Sequence, residues 1–411
     1  MTRNPWPLIF VYYAAGVYAA AQLGKVAALA PLMAADLGLG LVTMALATSL
    51  IEIGGATLGI VAGGVVARIG LRVALLGAVV CLGTGSIGGA TAGGGAALIA
   101  WRVLEAVGYL GVIVSAPVLI ARSAGPQSRG TALALWSSFV PVGLALGAWG
   151  HAAIAAQASW RVAMFASAAV GAAVLIALLA SRPPAHGGAA PHATTVALRA
   201  PAAAWCLAAS FGGYALFEVG LLALLPQMLT TRGGMSVTSA AAWTGLAALA
   251  TIIGSAAAAW LLRQRRSLVT PVVISLIAPA LVAFAVFPPA GTSTVAAVFA
   301  VALNALSGVF ASLAFAQAPV AAGGVHRMAQ VNGLIAQFGA SGSLLGPPLM
   351  AAAVERWGWG AAAACGLLVS LLAVPLALKA FRASPTRRAA RRGRTAGGPA
   401  TQVECTSSDK G

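Results

Sequence analysis

Residues 41–92 read LVTMALATSLIEIGGATLGIVAGGVVARIGLRVALLGAVVCLGTGSIGGATA. Two apolar runs, 41–66 and 72–92, flank a short break that holds Arg68, and Arg72 opens the second run. A membrane-spanning helix needs about 20 mostly apolar residues, so this stretch predicts two spans joined by a tight, positively charged turn. The same ruler carried outward finds further runs near 7–31, 95–121, 130–156, 160–180, 203–230, 238–262, 268–288, 291–318, 328–353 and 358–381, twelve in all. The first is longer than the 7–15-residue apolar core of a secretory signal and is read as an uncleaved first span.

Composition agrees. The chain is 60% hydrophobic and 8% charged, whereas a soluble domain carries about 25% charged residues; too little polar surface exists to face water. A formal charge of +17 would suit nucleic acid in a soluble protein, but here the basic residues sit in short loops and the C-terminal tail, without a basic helix face. Anionic lipid headgroups are the expected partner, and nucleic acid is not. Cys81, Cys206, Cys365 and Cys405 form no C-x-x-C pair, and the four histidines are dispersed, so neither a disulfide framework nor a metal site is expected. With no G-x-x-x-x-G-K-[ST], no H-E-x-x-H and no convincing Ser/His/acid set, no cofactor and no enzyme activity are expected.

Loop charges alternate. One side holds Arg68 and Arg72, then Arg122 and Arg129, Arg182 and Arg199, Arg263, Arg265 and Arg266, Arg327, and Arg382 with the tail arginines. The other holds Arg161, Arg232 and Arg356 beside Asp36 and Glu355. Basic loops stay in the cytoplasm, which predicts cytoplasmic termini in a multi-pass protein of a bacterial inner membrane. The longest polar break, 181–202, divides the runs six and six. At an offset of 199, Leu135, Phe139, Gly143, Leu146, Gly147 and Trp160 match Leu334, Phe338, Gly342, Leu345, Gly346 and Trp359. The predicted fold is therefore all-α: twelve transmembrane helices in two pseudo-symmetric six-helix bundles, 1–180 and 203–381, joined by a cytoplasmic linker, 181–202, and followed by a basic, disordered tail, 382–411.

Gly63-Gly64-Val65-Val66-Ala67-Arg68-Ile69-Gly70-Leu71-Arg72 resembles the loop signature G-x-x-x-D-R-x-G-x-R of the major facilitator superfamily, with Ala67 in the place of the usual acid. Arg102 to Gly108 resembles the family's buried arginine motif, R-x-x-x-x-x-G, associated with proton coupling. Pro141, Gly143, Gly147 and Gly150 loosely resemble the exporters' helix-five element. The resemblance implies two bundles that rock around a central cavity lined by helices one, four, seven and ten, with Gly63, Arg68, Gly70 and Arg72 acting as a gating loop.

Five charged residues fall well inside the runs: Lys25, Glu52, Arg102, Glu105 and Glu218. Each is expensive in a bilayer and must face a cavity, find a partner or change protonation. Lys25 can contact substrate or snorkel to the outer interface. Arg102 and Glu105, three apart, can pair, or the arginine can act on a carboxylate or an anionic group. Glu218 has no cation within a turn; without one, a desolvated carboxylate favours its neutral form, which makes Glu218 the first candidate for a proton carrier, with Glu105 and Arg102 behind it. Glu52 can pair with Lys25 or line the outer vestibule. Gln22, Tyr214 and Asn304 are candidate substrate ligands beside Lys25 and Glu52. The expected function is secondary active transport of a small molecule coupled to protons, first as export of a drug-like molecule or secreted metabolite such as a siderophore. Uptake of a small organic anion is the alternative; a transport-inactive sensor or scaffold is a third reading.

Overall fold

A computed structural model describes residues 4–124, 128–181, 200–264, 267–287, 293–322 and 328–382. All regular structure in these residues is helical: α1 (Trp6–Leu37), α2 (Leu41–Ser49), a 3₁₀ turn (Leu50–Glu52), α3 (Ile53–Ile69), α4 (Leu71–Ala90), α5 (Gly95–Ser123), α6 (Arg129–Ser137), α7 (Phe139–Gln157), α8 (Trp160–Ala180), α9 (Ala202–Thr231), α10 (Val237–Arg263), α11 (Val269–Val286), α12 (Ser293–Ala321), α13 (Met328–Trp357) and α14 (Gly360–Arg382). Each predicted run coincides with a helix. The second is broken by the 3₁₀ turn and the fifth by a hinge at Ser138. Eleven segments among the described residues are long and apolar enough to cross a membrane. α13, although 30 residues long, is not among them; it carries Gln330, Asn332 and Gln337 and packs within the protein against α9, α2 and α3. The basic tail and nearly all of the expected linker lie outside the described residues, as do Arg182, Arg199, Arg265, Arg266 and Arg327.

Large apolar side chains cover the outside of the bundle, among them Ile176 (66% exposed), Ile253 (65%) and Leu372 (62%). In water such a surface would aggregate; in lipid it is the solvated face. This is a multi-pass membrane protein.

The two halves, α1–α8 and α9–α14, use the same joints. A side chain at Gly143 or Gly147 of α7 would collide with the α1 backbone, at Val17–Ala21. One at Gly342 or Gly346 of α13 would collide with the α9 backbone, at Gly212–Leu216. Trp160 opens α8, and Trp359 immediately precedes α14. The matched glycines thus perform matched tasks.

Contact between the halves is concentrated away from the ends that carry the termini. Glu355 accepts the Val42 amide at 3.2 Å, and Trp149 donates to the Ala242 carbonyl at 3.1 Å. Ala28, Ala148 and Ala152 pack on Ala241, and Ala45 joins a core built from α9–α14. Midway, Gln337 donates to the Ala56 carbonyl at 3.1 Å. Toward the terminal end, each half keeps its own core, one around Tyr12, Leu75 and Ile120, the other around Leu207, Phe310 and Val331. Among the described residues, the contacts between the halves lie midway and at the end away from the termini, and the terminal end holds two separate cores.

Candidate functional site

Lys25 lies two-thirds of the way along α1. Pointing away from lipid, it meets α5, where Glu105 Oε1 is 2.8 Å from its Nζ. Neither side chain is exposed, so Lys25 does not snorkel. Arg102, one turn before on α5, holds the other carboxylate oxygen, Oε2. Gln22 Oε1 accepts from Lys25 at 2.5 Å, and the hydroxyls of Ser86 on α4 and Ser167 on α8 each lie 3.2 Å from it. Ser86 Oγ is 2.8 Å from Lys25 Nζ and 3.0 Å from Glu105 Oε1. The Lys25 ammonium therefore has three oxygen partners, as many as it has protons. His151 on α7, whose Nδ1 donates to the Gly147 carbonyl at 2.6 Å, is within electrostatic reach of Lys25 and Glu105.

Arg102 also reaches the second span. Its Nε donates to the Ala47 carbonyl at 2.7 Å and its Nη2 to the Thr48 carbonyl at 3.0 Å, and Nη1 approaches the Gln22 carbonyl at 3.3 Å. Ala47 and Thr48 end α2 just before the 3₁₀ turn, where the change of pitch disrupts the regular i+4 ladder. The guanidinium supplies donors at that break and ties α1, α2 and α5 together. Here the pairing of Arg102 with Glu105, one of the two sequence readings, is present, and Lys25 joins the pair in place of Glu52.

Glu52 closes the 3₁₀ turn and is half-buried, with Tyr109 of α5 within interaction range. Its Oε2 lies 3.8 Å from where a Gly55 side chain would start, and that same position lies 2.9 Å from Ala340 of α13. Glu52 therefore sits beside the seam between the halves. Glu218 on α9, also half-buried, has Tyr214 as its neighbour one turn earlier. Neither glutamate has an ion pair among the described residues. Tyr214 continues into an aromatic group: its ring is 5.5 Å from Phe310 and 5.4 Å from Phe211, and Phe211 is 5.3 Å from Phe315. Asn304 is fully buried on α12; its Nδ2 donates to the Ala300 carbonyl at 2.9 Å, and its Oδ1 has no partner among the described residues.

In the loop between α3 and α4, Gly70 adopts φ +95°, a conformation other residues resist. Arg72 donates to the carbonyls of Leu178 (3.0 Å) and Ser181 (2.6 Å) at the end of α8. It therefore bridges helix ends within one half. Arg68 is exposed, and the Gly63 backbone lies within α3.

Sequence reasoning missed Ser86, Ser167 and His151. A lone hydroxyl in an apolar run carries no sign of which way it faces, and a dispersed histidine becomes notable only once the helices are assembled.

No curated protein sequence matches the chain. Among solved structures, a bacterial homologue of the human lysosomal transporter Spinster, inward-facing and occupied, superposes with a TM-score of 0.72 at 18% identity over 96% of this chain and 98% of that one. A peptide transporter POT in complex with sulfate superposes at 0.72 with 15% identity, over 93% and 96%. A D-xylose–proton symporter superposes at 0.68 with 14% identity, over 90% and 97%. At such identities these likenesses speak for the fold. The sequence model of the Major Facilitator Superfamily matches residues 9–347. With more than half of its length matched and that fold around two internally duplicated halves, the chain belongs to the Major Facilitator Superfamily of membrane transporters.

Proposed function

We propose that this transporter exports a small organic compound in exchange for protons, with Glu218 as the proton carrier and Glu52 as a second acid at the seam. The observation that carries this reading is the contrast between three buried carboxylates. Glu105 is wholly buried and held by Lys25, Ser86 and Arg102, which leaves it no access to water. Glu218 and Glu52 are partly accessible, have no ion pair among the described residues, and lie one in each half. A carrier of protons needs a group that can be neutral or charged at modest cost and that meets water as the halves rock. The Lys25–Glu105–Arg102 group instead supports a positioning role, fixing the break that presents Glu52.

The same contrast weighs against uptake of an organic anion. Lys25 and Arg102, the two cations inside the spans, are already committed to Glu105 and to backbone carbonyls. With both termini in the cytoplasm, as the loop arginines favour, the end where each half keeps its own core faces inward, and the bacterial inner membrane is the proposed location.

The test compares small molecules inside and outside cells with and without the gene, in iron-rich and iron-poor medium, with Glu218→Gln as a third strain. A compound that builds up inside the deletion strain, disappears from its medium and is not restored by Glu218→Gln supports the reading; iron dependence points to a siderophore. A compound left unconsumed in the medium overturns it in favour of uptake.

A further inference from the structure

The surroundings of Glu218 have a common chemical character that names a substrate class. α9 and α12 run antiparallel. Tyr214 meets Phe310, and further along Leu221 and Leu222 share a core with Ala300 and Leu303. The part of α12 level with Glu218 is therefore Asn304 to Ser307. Both side chains are fully buried, and the Asn304 Oδ1 and the Ser307 Oγ have no partner among the described residues. Oδ1 can only accept, and a hydroxyl accepts as readily as it donates. One turn before Glu218, Tyr214 begins an aromatic group with Phe211, Phe310 and Phe315. Phe315 is 47% exposed. A carboxylate, an unsatisfied amide oxygen, a hydroxyl and aromatic faces are all electron-rich. Of the helices packed on α9, α2 and α12 carry no Lys, Arg or His, α10, α13 and α14 carry Arg263, Arg356, Lys379 and Arg382 only toward their ends, and Lys25 of α1 is held by Glu105.

Resting on the proton-exchange reading, we propose that this face takes an organic cation: the charge seats against Glu218, its N–H groups, where present, reach Asn304 and Ser307, and its apolar body lies on the rings by cation–π contact. One carboxylate then serves proton and substrate in turn, so binding of the cation releases a proton and the two compete.

The probe is tetraphenylphosphonium, with tetraphenylborate, an anion of nearly the same shape, as its control, on the purified full chain in lipid nanodiscs. Binding of the cation in preference to the anion is expected, with affinity falling as pH falls and with proton release in weak buffer. Glu218→Gln should weaken cation binding about tenfold, roughly 1.4 kcal/mol, and abolish the proton release. Phe211→Leu, which keeps bulk but removes a ring, should weaken binding several-fold and leave the proton release per bound cation unchanged. Equal or tighter binding of the borate, or unchanged phosphonium affinity in Glu218→Gln, overturns the cation assignment. Failure of the proton-exchange reading is separate: export in cells that survives Glu218→Gln removes that reading whatever the probes show.

Discussion

Lys25, Glu105 and Arg102 show what a charge inside a bilayer protein requires. Two cations and one carboxylate share a buried volume, and the arrangement holds because each cationic nitrogen has an oxygen partner. The consequences of removing each member differ. Glu105→Gln leaves two buried cations without a counter-charge and should cost about 3–5 kcal/mol, read as a large fall in thermal stability of the detergent-solubilised protein. Lys25→Met leaves the Arg102–Glu105 pair intact and should cost clearly less; equal losses would contradict this account of the group. Glu218 has no ion pair among the described residues, so Glu218→Gln should fold at near wild-type stability and lose proton-coupled transport, which flux and melting measured on one preparation would separate. The charged residues themselves were legible in the sequence because each interrupts an apolar run. Their partners were not. Lys25 and Glu105 are 80 positions apart, and these helices are apolar on the lipid side and largely apolar on the protein side, so no 3.6-residue stripe shows which way a residue turns. Ser86 and Ser167 stayed hidden for that reason, and Lys25 could equally have been an interfacial residue.

At the scale of the helix, glycine sets the distances. The pairs Gly143/Gly147 and Gly342/Gly346 bring α7 onto α1 and α13 onto α9, the close approach by which membrane helices gain packing where water supplies no driving force. Gly147→Leu and Gly346→Leu should each destabilise by about 3 kcal/mol or more, since backbone rather than a movable side chain is in the way. Matched losses of melting temperature would support the equivalence of the halves, and tolerance of either would deny it. The sequence echo at an offset of 199 made this joint legible. The 3₁₀ turn at Leu50–Glu52 was not, because it arises from tertiary contact: Arg102 supplies donors to the Ala47 and Thr48 carbonyls, and nothing in ATSLIE breaks a helix by itself. Gly70 at φ +95° belongs to the same scale. Gly70→Ala should cost about 1 kcal/mol, with Arg72 still capping α8, and a melting curve unchanged from wild type would count against the positive-φ account.

The whole molecule is two such bundles, joined at one end by Glu355, Trp149 and a patch of alanines, with a separate core in each half toward the other end among the described residues. Small side chains at the joined end allow close contact without deep interlocking, and under the proposed function a change of charge on Glu52 at the seam or on Glu218 in the opposite half bears on how the halves sit. Proton-linked motion of the two halves is readable as a distance between spin labels. In a cysteine-free background, labels at Arg68→Cys and Arg263→Cys, both exposed at the terminal end on opposite halves, report how far that end is parted. The account predicts a distance distribution that shifts with pH in the wild type and no longer shifts once Glu218→Gln is added. A pH-dependent shift that persists unchanged in Glu218→Gln would contradict it.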